Sequence, residues 1–369
     1  MTSLSQYQFP FCITTHAFNK DKSKLALCPN SNSIHVYNII DDKYTLEHTL
    51  QGHDLLVTSL DWAPETNRIV SCSQDKNAYV WNFDTIQNLW KPTLVHLRIN
   101  RAATQVRWSS NEQKFAVASG SRSVAVCYFG KDSDWWVSKH IKKPIASTIL
   151  SICWHPNNVL LACGGTDMKA RVFSGFIKGV DEKPAPSVWG ERLPFGTLCG
   201  EYQSEYGGWV HSVSFSPDGN TLAFASHDST LSIADPTQNF VTSIKTQQLP
   251  YKSMLWIPDG RIVVSGYNDL PGSYTYTQDG WAFTENTKKV SAGRSSVSGS
   301  SPIGTKSSAF NMFRNMDSRM ATQRNLEEDD IPTEEVNGTI AELKNMAYDS
   351  SRFTSCSFDG KITIWSLAA

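Results

Sequence analysis

One pattern recurs seven times along this chain: two or three alternating apolar residues, an aromatic, then a polar or proline turn. It reads HAF-NK at Phe18, LDW-AP at Trp62, VRW-SS at Trp108 and ICW-HP at Trp154. It continues as VSF-SPDG at Phe215, LW-IPDG at Trp256 and MAY-DS at Tyr348. The intervals are 44, 46, 46, 61, 41 and 92 residues, so two of them carry additions to a period near 45. A fixed period of this length means one small unit stacked many times.

The content of each period identifies the unit. After the aromatic turn comes an apolar run, a tight polar turn and a second run, as in RIVSCSQDKNAYVW and RFTSCSFDGKITIW. These runs are rich in Val, Ile, Thr and aromatics, which is a hairpin signal. Asp75, Asp167, Asp228 and Asp359 each stand six residues before the end of the second run. Ser31 and Ser121 keep that interval without the carboxylate. A further alternating run, such as YTLEHTL or WWVSKHI, follows most repeats. Four short strands per period make a propeller blade. Two stretches, 176–206 and 284–338, break the period, and setting them aside leaves about 40 residues for each of seven repeats. The expectation is therefore all-β: one seven-bladed propeller over 1–369. The final repeat lacks an outer strand, and the alternating segment near 6–11 is spare, so it is expected to close the last blade.

Composition excludes several classes. Lys and Arg number 34 against 35 Asp and Glu, which leaves no overall basic bias for binding nucleic acid. No run approaches the roughly 20 apolar residues of a membrane span, and 1–12 lacks the features of a secretory signal. Eight cysteines in 369 residues do not make a disulfide framework, so a reducing, cytoplasmic setting is expected. There is no phosphate-binding loop, no metal-ligand spacing and no paired carboxylates, so neither cofactor, metal nor catalytic residue is expected. Cys72 and Cys356 fall at equivalent strand positions of two repeats, with Cys163 one residue off, and all three read as small core residues.

The second repeat holds Gly52-His53, Ser71, Asp75 and Trp81 at the spacing of a WD-repeat, without the strict Trp-Asp pair. A Ser/His/Asp set invites a catalytic reading. Here it reads as a structural tetrad in which His53 bridges the other three, because nothing beside it would stabilise an oxyanion.

The two period-breaking stretches are different in kind. Residues 176–206 contain Pro184, Pro186 and Pro194, which stiffen an extended excursion. Trp189 and Phe195 can pin it to the propeller, and the loop either carries its own small core or meets a partner. In 284–338, the 287–326 segment has seven bases against the single acid Asp317, and 327–335 has six acids. Ser and Gly dominate from Val290 to Ser308, which predicts disorder. A short amphipathic helix is then expected near 309–322, capped by Ser308, with Phe310, Phe313, Met316 and Met320 within about 120° of one another. That face either packs on its own propeller or enters an apolar groove of another protein. The long tether and the completeness of the blades without it favour the second.

Three stretches carry a resemblance beyond the repeat. They are WWVSKHIKKPIASTILSICWHPNNVLLACGGTDMKARVF, the non-repeat FIKGVDEKPAPSVWGERLPFGTLCGEY, and GGWVHSVSFSPDGNTLAFASHDSTLSIAD. They resemble the WD-repeat subunit, subunit 1, of the actin-related protein 2/3 complex. The resemblance implies a non-enzymatic scaffold in a seven-subunit assembly that nucleates a daughter actin filament on the side of a mother filament. The implied partners are other subunits of that complex, the actin filament and nucleation-promoting factors, with a place in the actin cytoskeleton. By position, Phe310 and Phe313 would anchor the insertion on actin or an actin-related protein. A propeller scaffold of a vesicle coat or nuclear pore is the rival reading, and it leaves the 176–206 match unexplained.

Overall fold

The computed structural model describes residues 1–267, 270–278, 280–284, 339–346 and 349–367. They belong to one compact unit, Met1–Asn286 with Val336–Ala369; the other unit, Thr287–Glu335, lies outside the described residues. The described unit is seven antiparallel sheets of four strands each, the blades of a β-propeller.

The first blade is β2 (Thr15–Phe18), β3 (Lys24–Cys28), β4 (Ser33–Ile40) and β5 (Lys43–Gln51). The second is β6 (Val57–Ala63), β7 (Arg68–Ser73), β8 (Ala78–Asp84) and β9 (Leu89–Val95). The third is β10 (Ala103–Trp108), β11 (Lys114–Ser119), β12 (Ser123–Gly130) and β13 (Trp135–Ile141). The fourth is β14 (Ile149–Trp154), β15 (Leu160–Gly165), β16 (Lys169–Ser174) and β17 (Leu198–Gln203). The fifth is β18 (Val210–Phe215), β19 (Leu222–Ser226), β20 (Thr230–Asp235) and β21 (Phe240–Lys245). The sixth is β22 (Tyr251–Trp256), β23 (Ile262–Gly266), β24 (Gly272–Thr277) and β25 (Gly280–Thr284). The seventh is β26 (Ile340–Met346), β27 (Asp349–Ser357) and β28 (Lys361–Ser366), completed by β1 (Thr2–Gln8).

The repeating aromatic ends or nearly ends the innermost strand of each of the first six blades, where Trp62, Trp108, Trp154, Phe215 and Trp256 are buried. Tyr348 of the seventh repeat lies outside the described residues. Middle strands such as KFAVAS are buried along their whole length, because both faces meet a neighbouring blade. Each blade-to-blade seam has its own apolar cluster. Trp81 and Trp90 fill the first seam, and Phe115 and Trp136 the second. Phe353 and Trp365 fill the sixth, and Phe9, Tyr37, Cys356 and Ile362 join the seventh blade to the first. The ring is therefore closed by core packing as well as by strand pairing.

The closing strand lies four residues closer to the N-terminus than the 6–11 segment expected. Thr2 to Gln8 pair antiparallel with Ser366 to Lys361, and the register shifts between Ser3 and Ser5. Pro10 cannot donate to a ladder. The chain instead turns at Phe9, whose N–H donates to Gly360 O at 2.8 Å and whose ring packs edge-on against Tyr37 at 5.0 Å. The 176–206 boundaries also shift. Leu198–Gln203, inside that stretch, is the outer strand of the fourth blade, so the excursion is the connection between β16 and β17.

Candidate functional site

The tetrad of the second blade is assembled. His53 Nδ1 lies 2.8 Å from Asp75 Oδ2, and His53 Nε2 lies 2.8 Å from Ser71 Oγ. Trp81 Nε1 donates to the same Ser71 Oγ at 2.9 Å. A carboxylate only accepts, so Nδ1 carries the proton; Nε2 then accepts from the Ser71 hydroxyl, whose oxygen accepts from Trp81. The connectivity matches a hydrolytic triad, but Ser71 is 0% exposed and its oxygen is already held by an indole. Burial lowers the pKa of His53, against the pull of Asp75, which keeps the ring neutral. The set ties the 52–56 loop to the blade and presents no nucleophile. Blade seven repeats half of it: Trp365 Nε1 donates to Ser355 Oγ at 2.8 Å.

A second network lies on the innermost strands. Glu342 of β26 accepts from Thr15 Oγ1 of β2 at 2.8 Å and from Arg107 Nη2 of β10 at 2.6 Å. Lys344 of β26 donates to Leu60 O at 2.6 Å and lies 3.3 Å from Asp61 Oδ1, both on β6. The closing blade is thus bonded to blades one, two and three. Burial alone would raise the carboxyl of Glu342, but Lys344 and Arg107 hold it down at about 2. Burial pushes the imidazole of His16 down to about 3, so it is neutral.

Spacing had not revealed the bonds that run around this inner ring. In each pair of neighbouring blades a side chain of one inner strand accepts a backbone N–H from the next. Thr15 accepts from Leu60, Asp61 from Trp108 and Gln105 from Ile152. Ser151 accepts from Val213, Ser212 from Met254 and Ser253 from Leu343. Glu342 completes the circle by accepting from His16 N at 3.4 Å. A signal was present: five of these acceptors, Thr15, Gln105, Ser151, Ser212 and Ser253, stand three residues before the repeat aromatic.

Among the described residues, His16, Glu342 and Cys356 bring three potential metal donors within 4.8 Å of one another, all buried. His16 Nδ1 has no hydrogen-bond partner. The charges argue against a cation here. The one carboxylate of the trio is already matched by Arg107 and Lys344, and burial raises the Cys356 thiol well above its ordinary value. A divalent ion would add charge to a buried site that is already balanced.

The excursion between β16 and β17 is fastened to the ring from two sides. Trp189 is 4% exposed; its Nε1 donates to Gly219 O at 2.7 Å and its ring meets Phe215 at 5.6 Å. His155 Nε2 lies 2.9 Å from the same carbonyl oxygen. Gly219 has φ +76°, and a Cβ there would stand 2.2 Å from His155 Nε2, so glycine is required. Phe195 is half-buried beneath Lys139, whose Nζ is 4.6 Å from the ring centre. Trp189 therefore faces the propeller rather than solvent. Lys114 Nζ donates to Gly175 O at 2.9 Å and pairs with Asp181, with side chains 0% and 2% exposed. Phe310, Phe313, Met316 and Met320 lie outside the described residues.

With this geometry established, the relatives are informative. The WD domain, G-beta repeat family matches residues 44–82, 136–174 and 196–235. Actin-related protein 2/3 complex subunit 1A-B of Xenopus laevis is 45% identical over 96% of this chain and 93% of its own length. Actin-related protein 2/3 complex subunit 1 of Schizosaccharomyces pombe is 44% identical over 95% of this chain and 96% of its own. Subunit 1A of Arabidopsis thaliana is 37% identical over 100% and 97%. Those alignments run through the excursion and the closing blade as well as the repeats, and on that breadth the chain belongs to the family of actin-related protein 2/3 complex subunit 1.

Proposed function

We propose that this chain is a scaffold subunit of the actin-related protein 2/3 complex, without catalytic activity of its own. The observation that carries the reading is the match of a closed seven-bladed ring, excursion included, to relatives bearing that name over nearly their full length. A ring whose seams are packed and whose inner strands are cross-bonded is rigid. Rigidity suits a part that holds neighbours at fixed positions. The buried Ser71–His53–Asp75 set supports the absence of catalysis, since no substrate reaches it.

In this reading the subunit sits among the other subunits of the complex in the cytoplasm and supports nucleation of branched actin filaments. The 284–338 insertion reaches actin or an actin-related protein through Phe310 and Phe313, with Met316 and Met320 on the same face, and nucleation-promoting factors bind nearby. The support is the i, i+3, i+6, i+10 spacing of these apolar residues. The test has two readouts. Tagged full-length chain is expected to co-purify with actin-related proteins. Replacing Phe310 and Phe313 by Ser is expected to leave complex composition intact and lower branch density. Undiminished branching by the intact variant complex would remove the role of the insertion; absence of actin-related proteins from the pull-down would remove the scaffold reading.

A further inference from the structure

The loops on one side of blades two to four carry an unneutralised set of positive charges. No Asp or Glu occurs between Asp84 and Glu112, between Glu112 and Asp132, or between Asp134 and Asp167. Within those spans stand Arg98, Arg101, Arg122, Lys142 and Lys143, with Lys76 just before them. All six are exposed, and none forms an ion pair among the described residues. Several surface lysines elsewhere are paired, among them Lys20 with Glu65, Lys91 with Asp84 and Lys169 with Glu201.

Topology puts the six on one face. In an antiparallel meander, the loop between the second and third strands lies on the same side as the link to the next blade. Lys76 and Arg122 are on loops of the first kind, and Arg98, Arg101, Lys142 and Lys143 on links of the second. Glu112 is on a loop between first and second strands, so it points to the opposite side, where it accepts from Glu65 N and Thr66 N. On the same side Asp75 is engaged by His53 and Asp167 by Arg171, which leaves Asp54, on the link into blade two, as an exposed acid beside the set.

The loops are joined. Asn100 N and Arg101 N donate to Ser121 Oγ at 3.0 and 2.9 Å, which holds Arg101 beside Arg122. His140 Nε2 is 2.6 Å from Leu97 O, and after burial the charges of Lys142 and Arg98 are what lower its pKa, so both cations are close to it. Between blades two and three a cleft of about 460 Å³ is lined by Lys76, His96, Arg98 and Trp135 together with Ile99 and one carboxylate, Asp75, which is engaged by His53. Trp135 is 47% exposed and stacks on His96 at 6.0 Å.

We propose that this face is a docking surface for a bilayer containing anionic phospholipid, with the cleft taking a phosphorylated headgroup. The chain as a whole has a net charge of −1, so the attraction is local and one-sided. Six cations spread over four loops suit a broad anionic surface. A peptide needs a buried anchor, and a nucleic-acid strand needs a series of stacking rings, whereas of the two tryptophans lining this cleft only Trp135 is exposed. Trp135 at the edge of the patch is the residue type that settles at a membrane–water boundary. The inference is independent of membership in the actin-nucleating assembly.

The test is sedimentation of full-length protein with three vesicle types. These are phosphatidylcholine alone, phosphatidylcholine with phosphatidylserine, and phosphatidylcholine with phosphatidylinositol bisphosphate. Binding is expected to the second and third, stronger to the third, and to fall as salt is added. The triple variant R98E/R101E/R122E is expected to lose about a hundredfold in binding. The pair K178E/K183E, on the opposite-face excursion, is expected to bind as the parent does. Equal binding to neutral vesicles, no binding to any vesicle, or undiminished binding by a triple variant that melts like the parent would each overturn the proposal. Capture of polyglutamate without vesicle binding would overturn it in favour of an acidic protein partner.

Discussion

Arg107 of the third blade donates to Glu342 of the seventh at 2.6 Å, from one innermost strand to another that is not its neighbour. Strand pairing and seam packing join only adjacent elements. This ion pair, with Lys344 on Asp61, braces the ring across its middle. It also gives the two charges of β26 their places: Glu342 meets Arg107 of β10 and Lys344 meets Asp61 of β6.

Glu342→Gln is expected to leave Arg107 and Lys344 largely buried without their shared counter-ion. Removing one partner of such a pair costs about 3–5 kcal/mol. The measurement is the denaturant midpoint of the full-length chain. The replacement keeps the shape, so a midpoint within error of the parent would show that the charge is not what braces the ring.

Acid is expected to loosen the fold in two steps. His16 titrates at about 3 when folded and near 6.5 when unfolded, so the unfolded chain takes up the proton first and stability falls as pH drops below 6.5. Glu342 titrates at about 2 when folded and near 4.5 when unfolded, so its contribution is complete above 4.5 and is lost towards 2. Burial also lowers His53, His155 and His211, which act in the same direction as His16. The His16→Gln variant keeps a donor for Thr354 and has no proton to gain. Its stability is expected to fall less steeply between pH 6.5 and 4.5, by up to about 1.4 kcal/mol per pH unit. Parallel curves for parent and variant would refute the assignment.

The repeat aromatics were legible because each marks the end of a buried inner strand, a local matter of period and turn. The spacing of the tetrad was legible for the same reason: His53, Ser71, Asp75 and Trp81 fall within one period of the repeat, on one blade and the link that enters it. Glu342 and Arg107 are 235 residues apart, and which charges meet across the ring depends on how seven blades are phased about an axis. Lys114 reads as a surface residue of a strand until the excursion folds over it and supplies Asp181. The closing strand was placed late because the alternation of Gln6 to Phe11 continues past Pro10, whereas hydrogen bonding cannot.

Ser71 is the shared partner of two buried groups, so Ser71→Ala strands both His53 Nε2 and Trp81 Nε1. Each orphaned group costs about 1–3 kcal/mol, for a total of about 2–6. Ser355→Ala strands only Trp365 Nε1 and is expected to cost roughly half as much. Chemical denaturation of both variants checks the ratio. Equal losses would mean that His53 draws nothing from Ser71 and that the tetrad is a pair.

Lys114 is enclosed by Asp181, the Gly175 carbonyl and the face of Trp154, whose ring centre is 5.0 Å from Nζ. Asp181 also accepts from Ile177 N at 2.7 Å, so this one carboxylate both neutralises the lysine and shapes the first turn of the excursion. Lys114→Met fills the same space but leaves Asp181 buried and unpaired, with an expected loss of about 3–5 kcal/mol. The excursion should open first, since Trp189 and Phe195 hold its far end but nothing else is bonded to Asp181 Oδ1. Limited proteolysis is therefore expected to cut within 176–197 in the variant before the blades melt. The double variant Lys114→Met with Asp181→Leu removes both charges and should recover most of the stability. If the single variant resists cleavage as the parent does, the buried pair is not what fastens the excursion.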